Sequence, residues 1–253
     1  MTLQEFFENN KKLAIALSGG IDSVFLMYAA KKYGAAVRAY FVKTEFQPCF
    51  ELCDARREAG ACGVELSVIE LSVLGDESIA ENGAERCYLC KKRIMQSIAA
   101  AAKSDGYAVV CDGTNASDDA DDRPGFRALS ELGIISPLRL CGITKEEIRR
   151  LSREEGIAVW DKPSYACMAT RVKTGERISE EKLLAIEASE DFLRERGFSD
   201  FRVRLHKDSA KLELRRDDFE KLLNERAVIL DKLKAYFKSV TVDLEARDEK
   251  LCN

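Results

Sequence analysis

The chain has no apolar stretch approaching the ~18 residues that a membrane-crossing helix needs, which argues against an integral membrane protein. It has no long basic run, and its formal net charge is −4, so extensive binding along a nucleic-acid backbone is not expected. The opening residues, MTLQEFFENNKK, lack the layout of a secretory signal, and a cytoplasmic location is the expectation. Internal repeats and low-complexity tracts are absent. There is one histidine, His206, read as a surface or strand-end residue. The Walker A string G-x-x-x-x-G-K-[ST] is missing as well, which excludes that kind of phosphate loop.

What is present suffices for a folded enzyme. The 253 residues correspond to about 1.7 average domains, so one large or two unequal domains. With 46% hydrophobic and 33% charged residues, the chain buries a core behind a charged surface. Its nine cysteines are expected to be mostly thiols of a reducing compartment, with Cys111 and Cys141 in the core.

Apolar runs at 13–17, 36–42, 64–70 and 107–112 read as strands, and 22–33, 50–61 and 87–104 have helical spacing. This alternation predicts a parallel sheet covered on both faces, with ligands at the carboxyl ends of its strands. Thr144 and Glu147 form a capping box for a helix over 145–156, which Gly156 stops. The segment 161–177 has no clear period and reads as a loop and hinge. Beyond it come a helix over 179–196, strands at 201–205 and 211–214, a helix over 217–237 and a strand over 239–244. The expected architecture is therefore an α/β domain over 1–177 and a smaller α+β domain over 178–253 with an antiparallel strand pair.

Three segments carry chemistry. The first, Ser18-Gly19-Gly20-Ile21-Asp22-Ser23, joins an apolar strand to a helix. Two glycines there leave backbone amides converging at a helix N-terminus, which suits phosphate. The second, Arg86-Cys87-Tyr88-Leu89-Cys90-Lys91, contains a C-x-x-C. That spacing alone fits a redox dithiol, half a zinc site or part of an iron–sulfur site. A zinc set from Cys49, Cys53, Cys87 and Cys90 is a further possibility. The third, 162–171, places Cys167 in an irregular loop with Lys162 and Arg171 near in sequence, and nearby cations favour thiolate. Arg202 and Arg204 alternate on one strand, so both face the same side, and such a pair suits a phosphate. Asp118 follows the turn Asp112-Gly113-Thr114-Asn115. The other acids of that cluster, Asp119, Asp121 and Asp122, read as solvated, and Trp160 reads as a packing residue.

The segment 18–23 resembles the PP-loop of ATP pyrophosphatases, which cleave ATP between the α- and β-phosphates. Taken together, 18–23, 86–91, 112–118, Arg123-Pro124-Gly125-Phe126-Arg127-Ala128, Ser136-Pro137-Leu138, 162–171 and 201–206 resemble the LarE family of ATP-dependent sulfur transferases, in order along nearly the whole chain. The strings R-P-G-x-R-A and K-P-x-x-A-C-x-A-[ST]-R are the most diagnostic. The resemblance implies a PP-loop fold of the adenine-nucleotide α-hydrolase type, and two chemical steps. A carboxylate of a pyridinium-3,5-dicarboxylate mononucleotide is adenylated by ATP, and sulfur then displaces AMP to leave a thiocarboxylate for a nickel-pincer cofactor of lactate racemase.

The resemblance also implies roles. Ser18, Gly19, Gly20, Asp22, Ser23, Thr44, Gly113 and Thr114 would bind ATP, with Asp22 near Mg²⁺. Thr170, Arg171, Glu190, Arg202 and Arg204 would bind substrate. Cys87, Cys90 and Cys167 match members in which three thiolates hold a [4Fe-4S] cluster that carries the transferred sulfide. In other members a single cysteine at the position of Cys167 gives up its own sulfur. The small-molecule substrate, a sulfide or other sulfur donor, and a homo-oligomer, in some members a hexamer, are the implied partners, without nucleic acid or membrane. A tRNA thiolase, an amide-forming PP-loop ligase and a non-catalytic nucleotide-binding module are the competing readings.

Overall fold

The computed structural model describes residues 1–118 and 124–247. Asp119, Asp121, Asp122, Arg123 and Cys252 lie outside the described residues. In chain order the elements are α1 (Leu3–Asn9), β1 (Lys12–Ala16), α2 (Ile21–Lys32), β2 (Ala36–Lys43), α3 (Cys49–Ala61), β3 (Glu65–Glu70), α4 (Glu77–Ala80), α5 (Arg86–Ser104), β4 (Val110–Cys111), α6 (Pro124–Glu131), α7 (Pro137–Leu140), α8 (Lys145–Glu154), α9 (Glu180–Glu195), β5 (Arg202–His206), β6 (Ser209–Glu213), α10 (Phe219–Asn224), α11 (Arg226–Leu233) and β7 (Ser239–Val242). They group into two compact units. The first is Met1–Val73 with Glu85–Lys162, and the second is Leu74–Ala84 with Pro163–Asn253.

Unit 1 is built on a four-stranded parallel sheet in the order β3-β2-β1-β4. Because side chains alternate along a strand, β1 serves two layers. Leu13 and Ile15 pack with α2 residues such as Val24, Leu26 and Met27. Ala14 packs on the other face with Tyr40, Val42 and the α5 residues Met95 and Ile98. A central strand loaded on both faces reads as a continuous apolar run, as 13–17 does.

The strand expected over 107–112 shortens to Val110–Cys111. Its first residues are needed to end α5. The Gly106 amide donates to Lys103 O (3.1 Å) and the Tyr107 amide to Ala102 O (2.8 Å), a Schellman motif that removes Tyr107 from the ladder. Cys111 is fully buried, as expected, while Cys141 is partly buried against the same core. The capping box at Thr144 and Glu147 is present.

Unit 2 is α+β. Strands β5 and β6 pair antiparallel and β6 and β7 pair parallel. Leu183, Ile186 and Leu193 of α9 are buried, as are Val203, Leu205 and Leu212 of the sheet. The segment Leu74–Ala84 belongs here, with the Gly175 amide donating to Asn82 O and the Ile178 amide to Ala80 O (both 2.8 Å). The helix expected over 217–237 is instead α10 and α11 behind a 3-10 turn, Arg216–Asp218. The break falls at Glu225, whose carboxylate pairs with Arg196 at 2.8 Å. His206 is exposed at the end of β5.

Candidate functional site

The loop of unit 1 owes its shape to two glycines. Gly19 has φ +76°, and a Cβ there would lie 2.5 Å from Glu51 O. Gly113 lies against the first turn of α2, where a Cβ would stand 2.7 Å from Ser23 N. Both positions therefore exclude side chains for steric reasons. Gly20 is the N-cap of α2 and supplies no side-chain cap, which leaves the first amides of a twelve-residue helix for a ligand. Ser23 Oγ accepts from the Ser18 amide (3.1 Å) and donates to Gly20 O (3.1 Å). Ser18 Oγ lies 3.1 Å from Ser23 Oγ and accepts from the Gly20 amide at 3.4 Å. The two serines thus stitch the loop to itself.

Asp22, in the first turn of α2, faces the turn after β4. Its carboxylate accepts from Asn115 Nδ2 (3.2 Å) and from Lys145 Nζ (2.5 Å). Sequence reading missed Lys145, because a lysine directly after a helix cap carries no signal of its own. Asp112 is buried and accepts from Ser136 Oγ and Thr114 Oγ1 (both 2.6 Å), so Thr114 helps to fix the strand end that delivers Gly113. Asp118 accepts from the Asn115 amide (3.1 Å). Thr44 is buried, donates to Gln47 Oε1 (2.6 Å) and accepts from the Phe46 amide (3.0 Å). Its hydroxyl shapes the turn after β2.

Cys87 and Cys90 fall on the first turns of α5, Cys87 exposed and Cys90 buried. Residues three apart share a helix face. Among the described residues, no group of three or more His, Cys, Asp or Glu side chains is placed to hold a metal ion. The zinc set of Cys49, Cys53, Cys87 and Cys90, all in unit 1, is therefore not assembled.

In unit 2 the remaining sequence-predicted residues converge on the loop carrying Cys167. Arg171 is fully buried and grips Glu190 through Nε (2.8 Å) and Nη2 (3.1 Å). Its Nη1 donates to Ala166 O (2.9 Å). Thr170 donates to Cys167 O through its amide (2.9 Å) and Oγ1 (2.7 Å). Arg202 donates to Ser164 O (2.8 Å) and Arg204 to Thr170 O (2.6 Å). Three guanidiniums therefore hold the carbonyls on either side of Cys167.

Arg202 and Arg204 do face one side, and that side holds the backbone of this loop. Those carbonyls come from residues distant in sequence and could not be read from the strand pattern. Cys167 belongs to unit 2 and Lys162 to unit 1. Lys162 pairs with Asp54 at 2.6 Å within unit 1.

Sequence reading also missed Tyr165 and Glu213. The Tyr165 hydroxyl donates to Glu190, and its ring lies 4.5 Å from the Arg171 guanidinium carbon and 5.3 Å from that of Arg202. Glu213 accepts from Arg204 Nε at 2.7 Å. Burial pushes the Arg202 pKa down to about 10, helped by the neighbouring charges of Arg171 and Arg247. Desolvation would raise the Glu190 carboxyl, but the Arg171 pair holds it below its ordinary range.

No protein-family model matches the chain. It is 37% identical over 244 residues to an uncharacterized protein of Methanocaldococcus jannaschii, covering 96% of this chain and 93% of that one. An uncharacterized protein of Synechocystis is 32% identical over 251 residues, with 96% and 92% covered. The pyridinium-3,5-bisthiocarboxylic acid mononucleotide synthase of Lactiplantibacillus plantarum is 30% identical over 215 residues, with 84% of this chain and 78% of that enzyme covered. The chain belongs to the LarE family. Its parallel sheet and glycine loop are those of the PP-loop superfamily, to which the LarE family belongs, and the three-stranded sheet of unit 2 follows in sequence. Among the described residues, no helix is long and apolar enough to cross a membrane.

Proposed function

We propose that the chain is an ATP-dependent sulfur transferase that converts a carboxylate of a pyridinium-3,5-dicarboxylate mononucleotide to a thiocarboxylate, in the making of a nickel-pincer cofactor. The approach of Gly113 to the start of α2 supports this reading most directly. It brings the turn after β4 against uncapped helix amides, which is a backbone cradle for ATP phosphates. Gly19, Gly20, Ser18 and Ser23 form that cradle, and Thr114, Thr44 and Asp22 shape it. Asp22 is a carboxylate of the kind that accepts Mg²⁺, held in place by Lys145 and Asn115. Mg²⁺ bound there would offset charge on the departing pyrophosphate.

The substrate carboxylate attacks the α-phosphorus of ATP, and pyrophosphate leaves with the electron pair of the broken P–O bond. The acyl-adenylate is then open to a sulfur nucleophile, and AMP leaves as the acyl–sulfur bond forms. Cys167 is the residue assigned to that step. Its loop is held rigid by Arg171, Arg202 and Arg204, and rigid placement of a nucleophile lowers the barrier to attack. If the sulfur is its own, the Cα proton and the Cβ–S bond are lost together, leaving dehydroalanine. Substrate phosphate would compete with the Ser164 and Thr170 carbonyls for Arg202 and Arg204, with Thr170, Arg171 and Glu190 supporting that face.

The C-x-x-C at the start of α5 favours a second reading, in which Cys87, Cys90 and Cys167 ligate a [4Fe-4S] cluster. Three thiolates would leave one iron of such a cluster open to carry the transferred sulfide. Pyrophosphate–ATP exchange that depends on the pyridinium dicarboxylate tests the adenylation, and its absence with purified protein overturns it. Iron counting after anaerobic reconstitution, with the mass of Cys167 after turnover, separates the two sulfur sources. A loss of about 34 Da, the H₂S given up in forming dehydroalanine, selects the sacrificial route.

A further inference from the structure

Lys162 is the last residue of unit 1. Its Nζ donates to the Gly19 carbonyl oxygen at 3.0 Å and to Asp54 Oδ2 at 2.6 Å. It also lies 5.3 Å from the ring centre of Phe50. The side chains of Lys162 and Asp54 are both only 17% exposed, so this ammonium is screened from bulk water. Asp54 Oδ1 is engaged in turn by Arg57 at 2.8 Å, which fixes the carboxylate that orients the lysine.

The target of the lysine matters more than its burial. A nest of backbone amides binds an anion only if the intervening carbonyls point elsewhere, because a carbonyl oxygen turned towards a phosphate repels it. Gly19 is the residue whose left-handed conformation turns the loop. Its carbonyl is the one that a small backbone rotation would swing towards the ligand. An ammonium on that oxygen pins the rotation and neutralises the oxygen's partial charge. Lysine suits this task as a compact point charge on a long stem.

We propose that Lys162 is a positioning residue for the ATP phosphates, acting through the Gly19 carbonyl and oriented by Asp54. The inference rests on the nucleotide reading of the loop and predicts a selective effect. Loosening the Gly19 carbonyl weakens binding of a nucleotide that places phosphates in the nest. A nucleotide without β- and γ-phosphates is unaffected.

The test is calorimetric titration of the full chain with AMP and with a non-hydrolysable ATP analogue plus Mg²⁺. Lys162→Met is expected to weaken the analogue about tenfold or more, the scale of a charge-assisted hydrogen bond, with AMP unchanged. Lys162→Arg recovers part of the loss, and Asp54→Asn shows a smaller loss of the same selectivity. The latter two carry the test if Lys162→Met does not fold, since each retains a hydrogen-bonding group at its site. Equal binding of the analogue by wild type and variants overturns the inference, and so does an equal loss for AMP and analogue. If the wild-type chain binds neither nucleotide, the reading of the loop itself fails, which is a separate result.

Discussion

The glycine loop of unit 1 and the Cys167 loop of unit 2 solve the same problem by opposite means. Both must hold an irregular backbone in one conformation. At the glycine loop the control is steric, since Gly19 and Gly113 leave no room for a Cβ. The helix that follows has no side-chain cap on its first amides. At the Cys167 loop the control is electrostatic, with guanidiniums from Arg171, Arg202 and Arg204 capping carbonyls on both sides of the thiol. Four carbonyls there, of Ser164, Ala166, Cys167 and Thr170, are satisfied by side chains. In one loop missing side chains set the backbone, and in the other long charged side chains hold its carbonyl acceptors.

The largest expected effect breaks the steric half of this contrast. Gly113→Ala places a methyl 2.7 Å from Ser23 N and 3.0 Å from Ser23 Cα, and backbone has no rotamer with which to yield. The start of α2 must move, and exchange of pyrophosphate with ATP should fall by about 100-fold or more, the scale of a misplaced reacting geometry. A near-wild-type exchange rate would show that the nest does not depend on this contact.

That contrast also explains what was legible in the sequence. Glycines encode backbone geometry locally, so 18–23 and Gly113 could be read with no knowledge of the fold. Apolar runs likewise gave the strand positions of unit 1 up to β4, where capping of α5 by Tyr107 overrode the local pattern. The arginine cage was legible only in part. The shared face of Arg202 and Arg204 follows from strand periodicity, but their acceptors lie 38 and 34 residues away in sequence. The partners of Tyr165 and Lys162 could not be read from the sequence, since they are defined by packing.

The next effect breaks the electrostatic half. Glu190→Gln leaves Arg171 buried without its counter-charge and should cost about 3–5 kcal/mol of stability. The pH dependence has a definite sign. The Glu190 carboxyl is held below its ordinary value of 4.5, so the wild-type pair contributes above that pH and its contribution is lost as pH falls through the folded-state value. Urea midpoints of wild type and variant should therefore converge on acidification below 4.5. A gap that stays constant with pH would show that the carboxylate's charge is not what holds Arg171.

A smaller change sharpens the comparison by removing one atom. Tyr165→Phe keeps the ring beside Arg171 and Arg202 and deletes the hydroxyl that donates to Glu190. A hydrogen bond to a buried charge is worth about 1.5–3 kcal/mol. The loss should stay near the lower bound, because Glu190 keeps Arg171 and the Val203 amide at 2.9 Å. Thermal melting measures it. A loss equal to that of Glu190→Gln would mean that the hydroxyl, and not the guanidinium, is the main support of the carboxylate.

The smallest effect on stability is expected at Arg204, and there the stability and the function of the loop should separate. Its side chain is 37% exposed, so its pair with Glu213 is screened and replacement should cost under about 1 kcal/mol. Lysine at this position offers one charged group where arginine serves two acceptors, Glu213 Oε1 and Thr170 O. Arg204→Lys should keep one of these and release the other. If the carbonyl is released, the turn after Cys167 opens, and the thiol should react with iodoacetamide several-fold faster at an unchanged melting temperature, since exposure and mobility set thiol access. If the reaction rate is unchanged while Glu190→Gln accelerates it, Arg171 alone fixes the loop, and Arg204 is left available to an incoming phosphate.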